Sequence, residues 1–214
     1  MFTKDDIIVI PARKGSKGVP FKNRLLIEQT LRTIPSKYKD NVYIYSDDEF
    51  IIDKYKNYKH VPRPPKYSGD KTSTKDTMLS FFNSLGVTKG NCIMLYVVYP
   101  TRKWGDVVDS YEYFIDNEAK SLLCKKPYDG IHPYLLMVED GINGKQITPH
   151  NLYRRQDYPK VFELTHYVTI FNIEELPRLN NNLYNEDTIY FTINNDDIID
   201  IDTKKDVLKW KGQK

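Results

Sequence analysis

A basic, glycine-containing loop directly follows the first apolar run of the chain, residues 7–10. No acidic residue occurs between Ile7 and Ile27, and the cations of this stretch are Arg13, Lys14, Lys17, Lys22 and Arg24. Gly15, Ser16 and Gly18 stand among them, and small residues let backbone N–H groups approach a ligand while cations neutralise phosphate oxygens. The glycine spacing fits neither the P-loop nor the dinucleotide-binding fingerprint. The loop therefore favours a polyphosphate site, with a solvated basic loop as the plainer alternative.

Two carboxylates near the end of the chain, Asp200 and Asp202, are separated by a single apolar residue. The apolar character of residues 198–201 predicts a strand, in which residues i and i+2 project from the same face. Mg²⁺ binds through one or two carboxylates together with substrate phosphates. The pair therefore predicts a Mg²⁺ site or, alternatively, an acidic strand end that caps the helix that follows.

The elements that must position these residues alternate along the first part of the chain. The predicted strands are residues 7–10, 42–45, 93–98 and 121–124, and the first and third have the continuous apolar character of buried strands. The predicted helices are residues 25–34, 47–55, 78–85 and 104–115, the second with Asp47 or Asp48 as its N-cap. This alternation predicts a mostly parallel sheet with helices on both faces. Open α/β sheets bind ligands at the carboxyl ends of their strands, where the basic loop lies.

The pattern changes over residues 127–159, which are rich in proline and have little periodicity. We expect a small excursion of hairpins and loops there. Apolar runs return at residues 168–173, 190–193 and 198–201, and a final helix is expected from about Lys204. The chain, residues 1–214, is therefore predicted to form a single domain with a small lobe at about 127–159.

Charge and composition argue against several classes of protein. The formal net charge of +3 is too small to indicate nucleic acid or a membrane surface as a partner. The longest apolar run, residues 93–99, is much shorter than a bilayer-spanning helix. Cys92 and Cys124 form neither a disulfide framework nor a zinc-ligand pattern, and we expect both to be buried thiols. These features predict a cytoplasmic protein that binds neither nucleic acid nor membranes.

Residues 8–23 closely resemble the opening signature of the CMP-acylneuraminate synthetases, a family of cytidylyltransferases that also includes relatives acting on other 2-keto sugar acids. Four further segments resemble motifs of that family in the same order. They are Tyr45-Ser46-Asp47-Asp48, then Arg63-Pro64-Pro65 with Asp70, Thr72 and Thr74, then residues 154–162, then Ile199-Asp200-Ile201-Asp202-Thr203 with Asp206. The resemblance covers nearly the whole chain and implies a Rossmann-like nucleotidyltransferase fold.

The resemblance also implies a role for each matching residue. The CTP phosphates would be held by Arg13, Ser16, Lys17, Lys22 and Asn23, of which Arg13 and Lys17 would act in catalysis. Cytosine and its ribose would be read by Arg63, Thr72 and Thr74. Asp200 and Asp202 would bind Mg²⁺, or Mn²⁺ in its place. The acceptor side would comprise Tyr99, Thr101, Arg155, Gln156 and His166.

The implied reaction is in-line attack of an acceptor oxygen on the α-phosphorus of CTP, with release of pyrophosphate. The first expectation for the small anionic acceptor is a sialic-acid-like 2-keto sugar acid, and the alternatives are 3-deoxy-manno-octulosonate or a phosphonate. A catalytically weak nucleotide-binding relative is the alternative outside the enzyme class. In the family, the region that corresponds to residues 127–159 supports dimer formation, so the resemblance also implies a homodimer.

The acceptor side departs from the family pattern. Where the family has Gln-Pro-Thr-Ser-Pro-Leu-Arg after its fourth strand, this chain has the shorter Tyr99-Pro100-Thr101-Arg102. Where the family has Asn-Gly after its Pro-Lys stretch, this chain has Thr165-His166, and the usual Gly-Lys-Pro-Leu is missing after Asn23. The sequence therefore supports the CTP half of the site and leaves the acceptor open. His166 is either a contact for an acidic acceptor or a structural residue.

Overall fold

The computed structural model of the chain describes residues 2–194 and 197–212. Its strands are, in chain order, β1 (Ile7–Pro11), β2 (Val42–Ser46), β3 (Lys59–Pro62), β4 (Asn91–Met94), β5 (Ser121–Pro127), β6 (Met137–Asp140), β7 (Asn143–Gln146), β8 (Phe162–Asn172) and β9 (Ile189–Thr192). Seven of them form the central sheet in the order β3-β2-β1-β4-β8-β5-β9. Within it, β8 runs antiparallel to both of its neighbours and the other pairs are parallel. The mostly parallel sheet predicted from the alternation is confirmed.

Helices cover both faces of this sheet. They are α1 (Lys22–Thr33), α2 (Glu49–Lys54), α3 (Thr74–Leu85), α4 (Trp104–Asp116) and α5 (Lys204–Gly212). Ile8 and Ile10 of β1 belong to a core that contains buried residues of α1, α2, α4 and α5, whereas Ile7 and Val9 belong to the core under α3. Burial on both faces accounts for the uninterrupted apolar run of β1. None of the helices in residues 2–194 and 197–212 is long and apolar enough to cross a bilayer.

The start of α2 is fastened to α1 beside the basic loop. The side chain of Asp48 accepts a hydrogen bond from Phe50 N at 3.1 Å, so the predicted N-cap is confirmed. The same buried carboxylate accepts from Arg24 Nε at 2.7 Å and from Arg24 Nη2 at 2.9 Å. A buried carboxylate that lost this bidentate partner would be left uncompensated. The pair therefore fixes the position at which the basic loop enters α1.

The predicted fourth strand, residues 93–98, is shorter in the structure. β4 ends at Met94, and residues 95–98 leave the sheet. The side chain of Arg102 donates from Nη2 to the Tyr96 carbonyl at 2.5 Å, and the Tyr96 hydroxyl is 2.8 Å from Thr74 Oγ1. The Tyr96 carbonyl thus accepts from a side chain and not from a neighbouring strand.

The predicted strand at residues 198–201 is absent, because these residues are irregular. Ile201 N donates to Val98 O at 2.9 Å, which is one hydrogen bond and not a ladder. The prediction that a strand places the carboxylates of Asp200 and Asp202 on one face is therefore wrong. The final helix predicted from Lys204 is confirmed as α5.

Residues 128–161 form a hairpin and irregular segments outside the central sheet. β6 and β7 pair antiparallel, and Gly141 takes a φ of 63° in the connecting turn, a conformation that favours glycine. Nearby, the ring of Tyr134 stacks on His150 with centroids 4.2 Å apart, and both rings contact Tyr158. This part of the chain thus has its own small aromatic cluster.

Candidate functional site

A cleft of about 220 Å³ opens at the carboxyl ends of β1, β3 and β4. Pro11 ends β1, Arg63 follows β3 and residues 96–98 follow β4, and all of them line the cleft. Seven of the eight residues predicted to hold CTP also line it, namely Arg13, Ser16, Lys22, Asn23, Arg63, Thr72 and Thr74. The eighth, Lys17, is largely exposed and pairs with Asp70, another lining residue. The structure therefore brings the predicted phosphate and base residues together.

The basic loop is held in place by hydrogen bonds to its backbone. Ala12 N donates to the carbonyl of Tyr45, and Ser46 Oγ donates to Ala12 O at 2.6 Å. Lys14 N donates to Asp47 Oδ1 at 2.7 Å, and Asn23 Nδ2 donates to Arg13 O at 2.7 Å. Asn23, which was predicted as a phosphate ligand, thus uses one amide N–H to hydrogen-bond the loop itself. These contacts fix the path of the loop along the cleft.

Asp70 neutralises the two cations that were predicted to act in catalysis. Its Oδ1 lies 2.7 Å from Arg13 Nη1, and its Oδ2 lies 2.9 Å from Lys17 Nζ. Hydrogen bonds from Lys17 and then from Arg13 lower the pKa of Asp70 below its ordinary value. The phosphate side of the cleft thus holds a carboxylate between its cations.

Arg63 forms the wall of the cleft on the side predicted to read the base. It is buried, and burial lowers the pKa of its guanidinium. Its Nε donates to Tyr67 O at 3.0 Å, and its Nη2 donates to the same oxygen and to Thr77 Oγ1 at 3.2 Å. Because a buried cation strengthens nearby polar contacts, this group suits recognition of a carbonyl on a base edge.

The carboxylate of Asp202 reaches the phosphate side through Lys22. Lys22 Nζ donates to Asp202 Oδ1 at 2.9 Å and to the carbonyl of Ile201 at 2.7 Å. Lys22 lies at the start of α1 and lines the cleft. The predicted metal segment and the predicted phosphate loop therefore meet at one ammonium group.

The carboxylates of Asp200 and Asp202 are close enough to interact. Desolvation raises the pKa of Asp200, a hydrogen bond with Tyr99 opposes this, and the charge of Asp202 raises it further. A divalent cation would relieve that repulsion, so the donor set fits Mg²⁺. Within residues 2–194 and 197–212, no group of three or more His, Cys, Asp or Glu side chains could hold a metal. Substrate phosphate oxygens would therefore have to complete the shell, as is common for Mg²⁺.

The helix that follows is capped by other residues. Asp206 Oδ2 accepts from Thr203 N at 2.7 Å and from Thr203 Oγ1 at 2.8 Å, while Asp206 N donates back to Thr203 Oγ1 at 3.3 Å. This reciprocal arrangement is a capping box at the start of α5. The alternative interpretation, in which the carboxylates of Asp200 and Asp202 cap α5, is therefore wrong.

Gly18 joins the basic loop to the metal segment by close backbone contact. A Cβ atom built on Gly18 would lie 2.0 Å from the carbonyl oxygen of Asp202. Only a glycine allows this approach, since the obstructing atom belongs to the backbone. The sequence motif contained Gly18, but nothing in it indicated this partner.

Three of the predicted acceptor residues, Tyr99, Thr101 and His166, contact other parts of the protein and do not line the cleft. The Tyr99 hydroxyl accepts from Thr165 Oγ1 at 3.0 Å, and Thr101 Oγ1 accepts from Ile199 N at 3.2 Å. His166 packs edge-on against Tyr96, and burial lowers its pKa. The cleft itself is lined instead by residues 96–98.

The other two predicted acceptor residues lie elsewhere. Arg155 and Gln156 belong to a short 3₁₀ turn, Arg155–Asp157, on the exposed excursion. Arg155 lines a separate groove together with Tyr158 and Lys160. Within one copy of the chain, the structure does not bring this pair to the cleft.

Arg102 is a buried residue that sequence reasoning did not assign. Its Nε donates to the carbonyl of Tyr167 at 2.8 Å, its Nη2 holds Tyr96, and burial lowers its pKa to about 10. It therefore ties the floor of the cleft to β8. No periodicity distinguishes this arginine from an exposed one, so its burial was not visible in the sequence.

Comparison with known proteins agrees with the motif resemblance. The sequence matches no protein-family model. It is 24% identical to the N-acylneuraminate cytidylyltransferase of Streptococcus agalactiae serotype V, over 94% of this chain and 51% of the relative. The protein of the same name from serotype III is also 24% identical, with the same coverage. The chain thus spans about half the length of the curated relatives that it matches, and the resemblance to this family is confirmed.

Two solved structures have the same fold. One is CMP:2-keto-3-deoxy-manno-octonic acid synthetase complexed with CTP, with a TM-score of 0.65, 13% identity and coverage of 98% of each chain. The other is 4-diphosphocytidyl-2C-methyl-D-erythritol synthase from Anaerococcus prevotii, with a TM-score of 0.64, 13% identity and coverage of 98% of this chain and 100% of the other. The predicted Rossmann-like nucleotidyltransferase fold is therefore confirmed.

Proposed function

We propose that the chain is a cytidylyltransferase that transfers CMP from CTP to a sialic-acid-like 2-keto sugar acid and releases pyrophosphate. The observation that carries this proposal is the cleft, which gathers seven of the eight residues expected to hold CTP at the carboxyl ends of three strands. The curated relatives, which are named N-acylneuraminate cytidylyltransferase, support the choice of nucleotide and acceptor.

In the proposed reaction, the chain acts mainly by positioning and charge neutralisation. The triphosphate lies along the basic loop, where Arg13 and Lys17 stabilise the charge that develops as pyrophosphate leaves. Arg63, Thr72 and Thr74 hold cytosine and its ribose at the other end of the cleft. An acceptor hydroxyl oxygen forms the new bond to the α-phosphorus and releases its proton to solvent, while the bond from that phosphorus to the bridging oxygen of the β-phosphate breaks.

Asp200 and Asp202 are the residues that would hold Mg²⁺, or Mn²⁺, beside the phosphates. The metal would supply charge neutralisation to the phosphate oxygens. Lys22 Nζ pairs with the Asp202 carboxylate at 2.9 Å. Once a metal binds that carboxylate, the ammonium group would pair with a phosphate oxygen instead. Asp202 and Lys22 would therefore bind the metal and the phosphate, respectively, at adjacent positions in the site.

We also propose a homodimer formed through the excursion. This segment exposes a set of large apolar side chains, among them Ile131, Met137, Ile142 and Ile147. A second copy of the chain packed against this segment would cover these side chains. Sedimentation equilibrium should give twice the mass of one chain, and a monomer at micromolar concentration would contradict the proposal.

The proposed function is tested by pyrophosphate release. The purified chain with CTP and Mg²⁺ is offered N-acylneuraminate, 3-deoxy-manno-octulosonate and phosphonates, and we expect the highest kcat/KM with the sialic-acid-like acceptor. Turnover of another acceptor alone would replace the proposed substrate, and turnover of none would favour a catalytically weak relative.

The choice of nucleotide is tested by calorimetry with CTP, UTP, ATP and GTP. CTP should bind most tightly, because a site that hydrogen-bonds a base edge leaves buried polar groups unpaired with any other base. Equal affinity for the four triphosphates would contradict the assignment of Arg63, Thr72 and Thr74.

A further inference from the structure

Asp70 occupies the place in the cleft where negative charge is needed from a ligand. It is the carboxylate that bridges Arg13 at 2.7 Å and Lys17 at 2.9 Å, and it lines the cleft together with Arg13 and Ser16. An anion that approaches these cations must separate them from Asp70 or accept repulsion from it. The carboxylate and a phosphate thus compete for the same donors.

The backbone around Asp70 is fixed and does not hang freely from the surface. Ser68 O accepts from Arg13 Nη1 at 3.2 Å, and Thr72 N donates to Gly69 O at 3.2 Å across the turn that carries Asp70. Just before this turn, Arg63 holds the carbonyl of Tyr67. These contacts hold the carboxylate at the phosphate side of the cleft.

The two ion pairs do little for the stability of the fold. The Lys17 side chain is 80% exposed and that of Asp70 is 37% exposed, and ion pairs in such positions contribute little because water screens them. Their main effect is on the binding of anions, because one carboxylate neutralises two cations.

We propose that Asp70 is an internal competitor at the phosphate subsite, which lowers the affinity of every anion that uses Arg13 and Lys17. The inference rests on the proposed function only in taking this loop as the phosphate site. Competition with Asp70 lowers the affinity of each such anion by the same factor. Inorganic phosphate and pyrophosphate have few other contacts, so they become weak ligands. A nucleoside triphosphate keeps its contacts at the base end, so it remains bound.

The same competition acts when product leaves. As pyrophosphate separates from Arg13 and Lys17, Asp70 can take up both cations again, which favours release over rebinding. Asp70 thus lowers the occupancy of the phosphate subsite by inorganic anions, which have few other contacts to compensate for the competition.

The test is Asp70→Asn, which keeps the size and polarity of the side chain and removes its charge. Calorimetry of the purified full chain should show pyrophosphate binding strengthened about tenfold, the factor expected when two partly exposed ion pairs cease to compete. Cytidine, which carries no phosphate, should bind with unchanged affinity. Asp47→Asn is the matched control, because Asp47 accepts from Lys14 N in the same region and forms no ion pair with Arg13 or Lys17.

Three results would overturn the inference. Unchanged or weaker pyrophosphate binding by Asp70→Asn, in a variant with the thermal midpoint of the parent, would show that Asp70 supports the cations. An equal gain in Asp47→Asn would reveal a general charge effect. A gain for cytidine equal to that for pyrophosphate would point to a change in the whole cleft. Because neither ligand is turned over, the outcome is independent of the acceptor and of catalysis, so this inference and the proposed function can fail separately.

Discussion

Substitution of Gly18 by alanine should uncouple the basic loop from the metal segment. The added Cβ would lie 2.0 Å from Asp202 O and 3.2 Å from Asp202 C. Both are backbone atoms, so no side-chain rotation can relieve the contact. One of the two segments must therefore move away from the other.

The size of the effect follows from the geometry. Ordinary contact of a Cβ with such an atom begins at 3.4 Å, so the carbonyl of Asp202 has to retreat by about 1.4 Å from its present 2.0 Å. A misplacement of about 1 Å in a catalytic site costs on the order of 10²-fold in rate, which corresponds to about 2.7 kcal/mol of activation free energy. We therefore expect Gly18→Ala to lower kcat/KM for CTP by about 10²-fold.

The assay is steady-state pyrophosphate release at saturating acceptor, with thermal unfolding as the measure of folding. The matched control is Gly105→Ala in the first turn of α4, where an added Cβ meets no atom within 4 Å. That change should leave activity at the parental level and, because alanine favours helices, stability unchanged or slightly higher. If Gly18→Ala kept within about threefold of parental kcat/KM, a shift too small for such a displacement, the proposed coupling of the two segments would be refuted.

Three further substitutions test other parts of the site. Lys17→Ala should lower kcat by about 10²-fold or more through loss of a charge on the transferring group, with the same thermal midpoint, since the side chain is 80% exposed; near-parental turnover would show that this cation is dispensable. Asp202→Asn should raise the Mg²⁺ concentration for half-maximal rate or abolish turnover, and a titration that overlays the parental curve would remove Asp202 from the metal site. His166→Gln should reduce the loss of unfolding free energy between about pH 7 and pH 5, measured with denaturant. Burial lowers the pKa of folded His166, so the unfolded chain binds the extra proton as pH falls through about 6.5, and stability is lost there. An identical pH dependence in parent and variant would contradict this assignment.

Much of the fold could be predicted because local and tertiary preferences coincide. The run that became β1 is apolar at every position, and the structure buries it on both faces. Residues 95–98 and most of residues 198–201 are also apolar, yet neither segment forms a strand. Beyond the hydrogen bond from Leu95 N to Val9 O on β1, the Tyr96 carbonyl accepts from the side chain of Arg102, and Ile201 N donates to Val98 O in an irregular segment. Apolar character reports burial, and it does not distinguish a buried strand from a buried irregular segment.

Some parts of the candidate site could likewise be predicted from the sequence, and others could not. The basic loop was visible because its glycines, its cations and the end of a strand are adjacent in the sequence. The ion pair of Arg13 with Asp70 was not visible in the sequence. Asp70 lies on a turn between β3 and α3 and reaches the loop only in the folded chain. On the acceptor side, Tyr99 was chosen by its place after the fourth strand. Since β4 ends at Met94, the cleft receives Tyr96 instead, and Tyr99 turns toward β8.

The ion pairs of the site suggest how nucleotide and metal would support each other under the proposed function. Arg13 and Lys17 are paired with Asp70, and Lys22 is paired with Asp202. A triphosphate would take Arg13 and Lys17 from Asp70, while a metal would take Asp202 from Lys22 and free that ammonium for phosphate. The metal thus removes a competitor for Lys22, and a phosphate that pairs with Lys22 frees Asp202 for the metal, which is positive coupling between two binding events. Because Gly18 sets the distance between the two segments, the coupling depends on one backbone contact that no side chain could replace.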